Sequence, residues 1–267
     1  MKILIINGSA HRGNTWKLAE YAKKYLSECD NKIKFEEIHL IEEKLPFCIG
    51  CSNCFRKGYE KCPHYRIVGK IVENMDEADG IIFVTTTYNM RETALLKNFF
   101  DHLCFMLHRP HFFESKALII TTVGAVGGGD AVKSVMKTLK GIGFNKCYTF
   151  YKASLSWNAY KPDNRTLTAL NKTVKKFYRD VKSKRLYSPD ISLLIPYNLF
   201  RGMSLAYVPG TEYATKDGEH WTEECRMNSV YSPKIKVPFY KMIVGQLFYL
   251  MGKKMGSCKK MTVTYRK

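Results

Sequence analysis

The chain predicts an α/β fold built on a doubly wound, five-stranded parallel sheet with a C-terminal extension. Three observations carry that expectation. Short, almost purely apolar segments recur through residues 1–185, the pattern of strands buried on both faces. Each is followed by a segment with helical spacing of apolar residues. Beyond residue 185 the alternation stops and prolines become frequent, at 189, 196, 209, 233 and 238.

The elements follow in order. Lys2–Asn7 (KILIIN) reads as the first strand and ends in Gly8-Ser9. Asn14 is placed to cap a helix from Thr15 to about Glu28, with Leu18, Ala22, Tyr25 and Leu26 on one face. Lys34–Leu40 is a second strand, and Ile67–Met75 a helix with Ile67, Ile71 and Met75 spaced by four. Gly80–Thr85 (GIIFVT) is a third strand, Ala94–Leu107 a helix rich in Leu and Phe, and Ala117–Thr122 a fourth strand running into the glycines of 124–129. Asp130–Ile142 is a helix stopped by Gly143, Lys146–Tyr151 a fifth strand, and Arg165–Lys184 a long basic helix. Right-handed crossovers and a single switch in strand direction lead to a flavodoxin-like sheet, whose ligands bind beyond the carboxyl ends of the strands. The expected units are therefore 1–185, with a Cys-rich insert at 45–65, and a basic, aromatic extension over 186–267. In the extension, one helix is expected over Phe239–Lys254. Its apolar residues suit packing on the sheet domain, a subunit contact, or a membrane-surface contact through 239–254.

Composition narrows the function classes. Of 267 residues, 45% are hydrophobic and 25% charged, which excludes a disordered or fibrous chain. No apolar run is long enough to span a bilayer, and the first run is too short for a signal-peptide core, so a cytoplasmic location is expected. The formal net charge is +19. Residues 1–150 carry 21 basic and 16 acidic side chains, whereas 151–267 carry 22 and 8. The basic excess points to an anionic partner. The chain shows no zinc-finger, RNA-recognition or helix-turn-helix pattern, so nucleic acid is not expected.

Three loops at the carboxyl ends of strands are chemically distinctive. Gly8-Ser9-Ala10-His11-Arg12-Gly13-Asn14-Thr15 joins a buried strand to a helix N-terminus, where free amides and the helix dipole favour an anion. It has neither the Lys-Ser/Thr of a P-loop nor a G-x-G-x-x-G pattern. The second loop runs from Thr85 to Met90, and the third from Thr122 through Gly129.

Together these loops resemble the NADPH-dependent FMN reductase family of the flavodoxin-like superfamily. Gly8-Ser9 with Gly13-Asn14-Thr15 is similar to that family's "GS-x-x-x-GNT" phosphate loop. Thr85–Met90 stands where the family has "S-P-V-Y", with Thr86 in place of the proline, a change that predicts a less rigid loop. Lys97–His102 resembles "LK-x-F-x-DR", with His102 in place of arginine. The resemblance implies FMN, with its phosphate on Ser9, His11, Gly13, Asn14 and Thr15. It places the ring against Thr86, Thr87, Tyr88, Asn89, Met90, Gly124, Gly127 and Gly128. It further implies NAD(P)H as electron donor, no acid–base catalytic residues, and a homo-oligomer with the Phe99-Phe100 helix as a candidate interface.

Nine cysteines are present, four of them as Cys48-x2-Cys51-x2-Cys54-x7-Cys62. The segment resembles the compact cysteine motif of the iron-sulfur flavoproteins, which implies a [4Fe–4S] cluster on those four thiolates and a ferredoxin-like or other electron acceptor. Metal-free redox or structural thiols, zinc and chance remain open beside it. Cys29, Cys104 and Cys147 read as small buried hydrophobes, and His64 and His111 as surface residues. Asp217-Gly218 reads as a turn and Trp221 as an anchor for the extension. Arg12, Lys216 and His220 are candidates for a nicotinamide-cofactor 2′-phosphate.

Overall fold

The computed structural model describes residues 1–258, so residues 259–267 of the extension lie outside the described residues. The elements are β1 (Lys2–Asn7), α1 (Asn14–Cys29), β2 (Lys34–His39), α2 (Asn53–Arg56), α3 (Tyr65–Glu77), β3 (Gly80–Thr86), α4 (Ala94–His102), β4 (Lys116–Val123), α5 (Gly128–Gly141), β5 (Lys146–Ala153) and α6 (Asn164–Ser183). After them come α7 (Ile191–Met203), α8 (Lys216–Trp221), α9 (Glu224–Met227) and α10 (Phe239–Ser257).

All five strands are parallel in the order β2-β1-β3-β4-β5, the flavodoxin-like arrangement. Strand alternation divides the core in two. Ile3, Ile5, Ile82, Val84, Leu118 and Ile120 face α1 and α6, while Leu4, Ile6, Ile81, Phe83, Ala117 and Ile119 face α3, α4 and α5. The three central strands thus bury side chains on both faces, which is why they read as unbroken apolar runs. Each such Ile, Leu or Phe contributes about 1.5–3 kcal/mol by leaving water.

Residues 186–258, the C-terminal unit, carry a smaller apolar cluster of Leu194, Tyr197, Trp221, Tyr231 and Ile235, against which Phe113 of the sheet domain also packs. Trp221 is fully buried and its indole N–H donates to the carbonyl of His108, 3.0 Å away, so it fastens this unit to the sheet domain. One expectation fails here: Pro196 does not interrupt the chain but lies within α7. A proline forfeits one helical hydrogen bond, and the packing of α7 against α10 offsets that loss. The two helices meet through glycine. A methyl group on Gly252 would stand 2.3 Å from the Leu199 carbonyl oxygen, and one on Gly202 would stand 2.2 Å from that of Tyr249. The outer side of α10 leaves Phe239, Tyr240, Ile243, Leu247 and Leu250 exposed. No helix among the described residues is long and apolar enough to cross a membrane.

Asp217-Gly218 is not a free turn but the first turn of α8, capped by the Thr215 side chain. Phe99 and Phe100 are core residues, 0% and 4% exposed, so these two rings pack inside the sheet domain. Their α4 helix is amphipathic, and both rings fall on the face toward the sheet.

Candidate functional site

The first loop is shaped by what its neighbours exclude. A side chain at Gly8 would put a Cβ 2.6 Å from that of Leu96 on α4. The Gly8 amide donates to the Val84 carbonyl (2.8 Å), and its own carbonyl accepts from the Thr93 hydroxyl. The Ser9 amide donates to the Asn7 side-chain oxygen at 3.0 Å, which turns the chain away from the sheet. α1 then starts at Asn14 with Gly13 at the cap position and no side chain capping it. Its first turn carries no acidic residue, so the positive end of a 16-residue helix faces the loop with its amides uncapped. Asn14 is not the cap that the sequence suggested. Its amide group donates to the carbonyls of Ser156 (2.9 Å) and Trp157 (3.3 Å), and its oxygen accepts from the Tyr160 amide. Burial beside the loop after β5 made those bonds more valuable than a cap.

A line of hydroxyls joins the three loops. The Thr86 amide donates to Ser9 Oγ at 3.0 Å, and the Ser9 and Thr86 hydroxyls are 3.0 Å apart. Thr86 Oγ1 lies 3.2 Å from Thr15 Oγ1, which lies 2.5 Å from Thr122 Oγ1. Thr86 therefore stiffens its loop, contrary to the expectation from the missing proline. A threonine keeps the N–H that proline lacks, and that N–H holds Ser9.

The second loop closes as a two-residue turn. Tyr88 and Arg91 exchange backbone hydrogen bonds of 3.0 and 2.9 Å, and Asn89 and Met90 have φ of 48° and 63°. It touches the third loop where a Cβ on Gly127 (φ 91°) would come within 2.8 Å of Met90 Cγ. The hydroxyl of Thr87 bonds that of Thr121 at 3.0 Å. A methyl at Gly124 would meet nothing within 4 Å, so this backbone is approachable. Gly128 starts α5 beside Tyr151. Around this edge stand exposed apolar side chains: Tyr88, Met90, Val126, Leu155 (82% exposed) and Trp157 (97%). The sequence reading missed Leu155 and Trp157, although an aromatic just past the end of the fifth strand was a legible signal.

His11 is exposed and its ring lies over Gly13, within 2.7 Å of where a Cβ would be. Arg12 turns toward β2, 2.8 Å from His39 Nε2 and stacked over Trp16. Lys216 pairs with Glu219, and His220 packs edge-on against Trp221. In these positions Lys216 and His220 belong to the C-terminal unit.

The cysteine loop is clamped onto α4. Asn98 accepts from the Cys48 amide (3.1 Å) and donates to the carbonyls of Leu45 and Pro46. Left-handed backbone at Gly50 and Ser52 then coils the segment into α2. Arg109 donates to the Cys54 carbonyl at 2.6 Å. Cys48 and Cys51 are exposed, and Cys54 and Cys62 half-buried. Burial raises the Cys62 thiol, and the charges of Cys54, Cys51 and Cys48 each push it further, so the four thiols share one neighbourhood.

Two partners were not foreseen. Cys104, read as a bland hydrophobe, lies close enough to Cys54 for the two thiols to interact. The contact lowers the Cys104 thiol and raises that of Cys54, so Cys104 ionises first. His64, read as a surface residue, lies 2.8 Å through Nδ1 from His102 Nε2. His102 Nδ1 is 2.9 Å from the Asn98 carbonyl, so Nδ1 is its donor and Nε2 accepts from His64. Burial lowers His102 from its ordinary value and keeps it neutral. The ligand atoms of Cys62, His64 and His102 all lie within 4.8 Å of one another. Histidine in place of the family's arginine at position 102 thus belongs to the cysteine loop.

The model of the family described as NADPH-dependent FMN reductase matches residues 1–154. An iron-sulfur flavoprotein of Methanocaldococcus jannaschii is 26% identical over 201 residues, covering 69% of this chain and 99% of the relative. One of Clostridioides difficile is 27% identical over 187 residues, covering 69% and 81%. Among solved structures, an apo NADH:FMN oxidoreductase (EMOB) superposes with a TM-score of 0.50 at 23% identity, covering 72% of this chain and 98% of its own. An NAD(P)H:quinone oxidoreductase of Methanothermobacter marburgensis superposes at 0.51 and 18%, covering 68% and 97%. Both likenesses are of fold.

Proposed function

Because the chain belongs to the NADPH-dependent FMN reductase family, we propose that it works as an NAD(P)H:acceptor oxidoreductase on FMN, with a [4Fe–4S] cluster as the onward relay. FMN supplies the redox chemistry, accepting hydride from the nicotinamide and releasing electrons onward. The observation that carries the reading is the uncapped N-terminus of α1, encircled by the Ser9, Thr15 and Thr86 hydroxyls. That cradle fits a phosphate: its donors are amides and hydroxyls, and no acidic side chain stands in the first turn. In this reading Ser9, His11, Gly13, Asn14 and Thr15 hold the phosphate end. The loop from Thr86 through Thr87, Tyr88 and Asn89 to Met90 holds the ring with Gly124, Gly127 and Gly128. The exposed Tyr88 and Trp157 rings would offer apolar surface to it. This chain performs no acid–base step; its residues bind, orient and leave one ring face open.

Cys48, Cys51, Cys54 and Cys62 hold the cluster. Four thiols come from one clamped loop, and three of them, Cys48, Cys51 and Cys54, act electrostatically on the fourth, Cys62, which suits a four-thiolate site. The names of the iron-sulfur flavoprotein relatives support the same assignment. Purified protein is then yellow-brown, with one FMN and four irons per chain. Ser9→Asp with Thr15→Asp removes FMN and leaves iron in place, whereas Cys51→Ser removes iron and leaves FMN. A double variant that retains FMN at unchanged affinity refutes the cradle. Iron-free protein after anaerobic reconstitution refutes the cluster.

A second reading is favoured by one observation, the exposed apolar side of α10 beside exposed Lys236, Lys253 and Lys254. Residues 239–254 then rest on an anionic membrane surface. Co-sedimentation with phosphatidylglycerol vesicles, lost in Ile243→Glu with Leu247→Glu, tests it.

A further inference from the structure

A cavity of about 340 Å³ lies between the cysteine loop and the C-terminal unit, away from the strand-end loops described above. One wall is the α2 segment, with Ser52, Phe55 and Arg56. The other is the end of α7 and the turn after it, with Phe200, Met203 and Tyr207. Its size is that of a small-molecule site.

Three features mark it as built rather than as loose packing. First, its wall is a stack of rings. His108 lies against Phe200, with centroids 4.1 Å apart and planes 26° from parallel, and against Phe55 at 4.7 Å. Second, its polar end is braced. Asp217, itself buried, accepts from His108 Nδ1 at 2.8 Å and from Arg109 at 2.7 Å. The same Arg109 donates to the Cys54 carbonyl, so the imidazole is tied through two residues to the cysteine loop. With Nδ1 committed to Asp217, a ligand meets His108 at Nε2. Third, the local charge is positive. Arg56 and Arg109 stand at this end with the single carboxylate of Asp217, whose oxygens are already engaged by His108 and Arg109.

We propose that this cavity binds a flat aromatic carboxylate of one or two rings, with the ring packed against Phe200 and Phe55 inside the cavity and the carboxylate directed to the Arg56 end. Offset stacking rewards a planar guest over a saturated one of equal size. The positive charge of Arg56 at the polar end rewards the anion over the neutral analogue. The proposal concerns binding alone and stands whether or not the flavin reading does, because its measurement needs no electron transfer.

The test is calorimetric titration of the oxidised full-length protein, as purified, with 2-naphthoate. Binding in the micromolar range is expected. It weakens at least tenfold in Phe200→Ala, which removes a stacking ring, and in Met203→Trp, which fills the space. Far-ultraviolet circular dichroism checks each variant, and Met203→Trp keeps the test decisive if Phe200→Ala fails to fold. FMN content stays unchanged in both. Cyclohexanecarboxylate, equal in charge but not planar, binds at least tenfold more weakly. No heat with 2-naphthoate at millimolar concentration overturns the proposal. So does equal affinity in wild type and Met203→Trp, or equal affinity for the two carboxylates.

Discussion

Replacing Thr86 with proline converts the second loop to its family's common pattern, yet the structure says the change is harmful. Three hydrogen bonds converge on this residue: its amide to Ser9 Oγ at 3.0 Å, and its hydroxyl to those of Ser9 at 3.0 Å and Thr15 at 3.2 Å. Each contributes about 1 kcal/mol net, so Thr86→Pro should cost about 2–3 kcal/mol. Thr86→Val keeps the amide and loses only the hydroxyl contacts, and should cost about 1–2 kcal/mol. The difference between the two variants isolates the N–H that holds Ser9. Urea unfolding of the FMN-free proteins, compared at constant slope, reads both numbers. FMN dissociation constants should rise in the same order, because Ser9 loses its orientation in each case. Thr86→Pro as stable as wild type, or indistinguishable from Thr86→Val, would refute the claim that this amide organises the loop.

Other expectations follow from the same geometry. Gly252→Ala drives a methyl to 2.3 Å from a backbone oxygen of α7 and should cost about 2–3 kcal/mol, read as a lowered unfolding midpoint of the C-terminal unit with FMN binding retained. His220 is held neutral by burial, its value pushed down to about 3, with Arg226 and Arg109 adding to the shift. Below the ordinary histidine value the unfolded chain takes up a proton that the native chain refuses, so stability falls as pH drops from about 6.5 toward 3. The loss is ~2–4 kcal/mol, and His220→Gln should flatten that part of the pH–stability curve. In iron-free protein, Cys104 should react with iodoacetamide at lower pH than Cys54. Cys104→Ala should then let Cys54 ionise closer to the ordinary thiol range; an unchanged Cys54 profile would show that the two sulfurs do not interact.

Local chemistry was enough to read the sheet. Each central strand is buried on both faces, so its burial appears in the sequence as an unbroken apolar run, and Gly8, Gly127 and Gly143 punctuate those runs where the backbone must turn. The loops at the strand ends were legible for a similar reason, since glycines and hydroxyls close to a helix start serve few other purposes. Pairings between residues far apart in the chain were not legible. That Asn14 would abandon its own helix for Ser156, that Thr86 would hold Ser9, and that Cys104 and His64 would join the cysteine loop all depend on which segments the crossovers bring together. Nothing in the spacing of those residues encodes the contact. The C-terminal unit shows the same division. Trp221 was recognisable as an anchor because a large aromatic in a polar stretch has to be buried somewhere. The helix through Pro196 was not, because its stability comes from the glycine-lined face of α10 some fifty positions later, and propensity is a local quantity while packing is not.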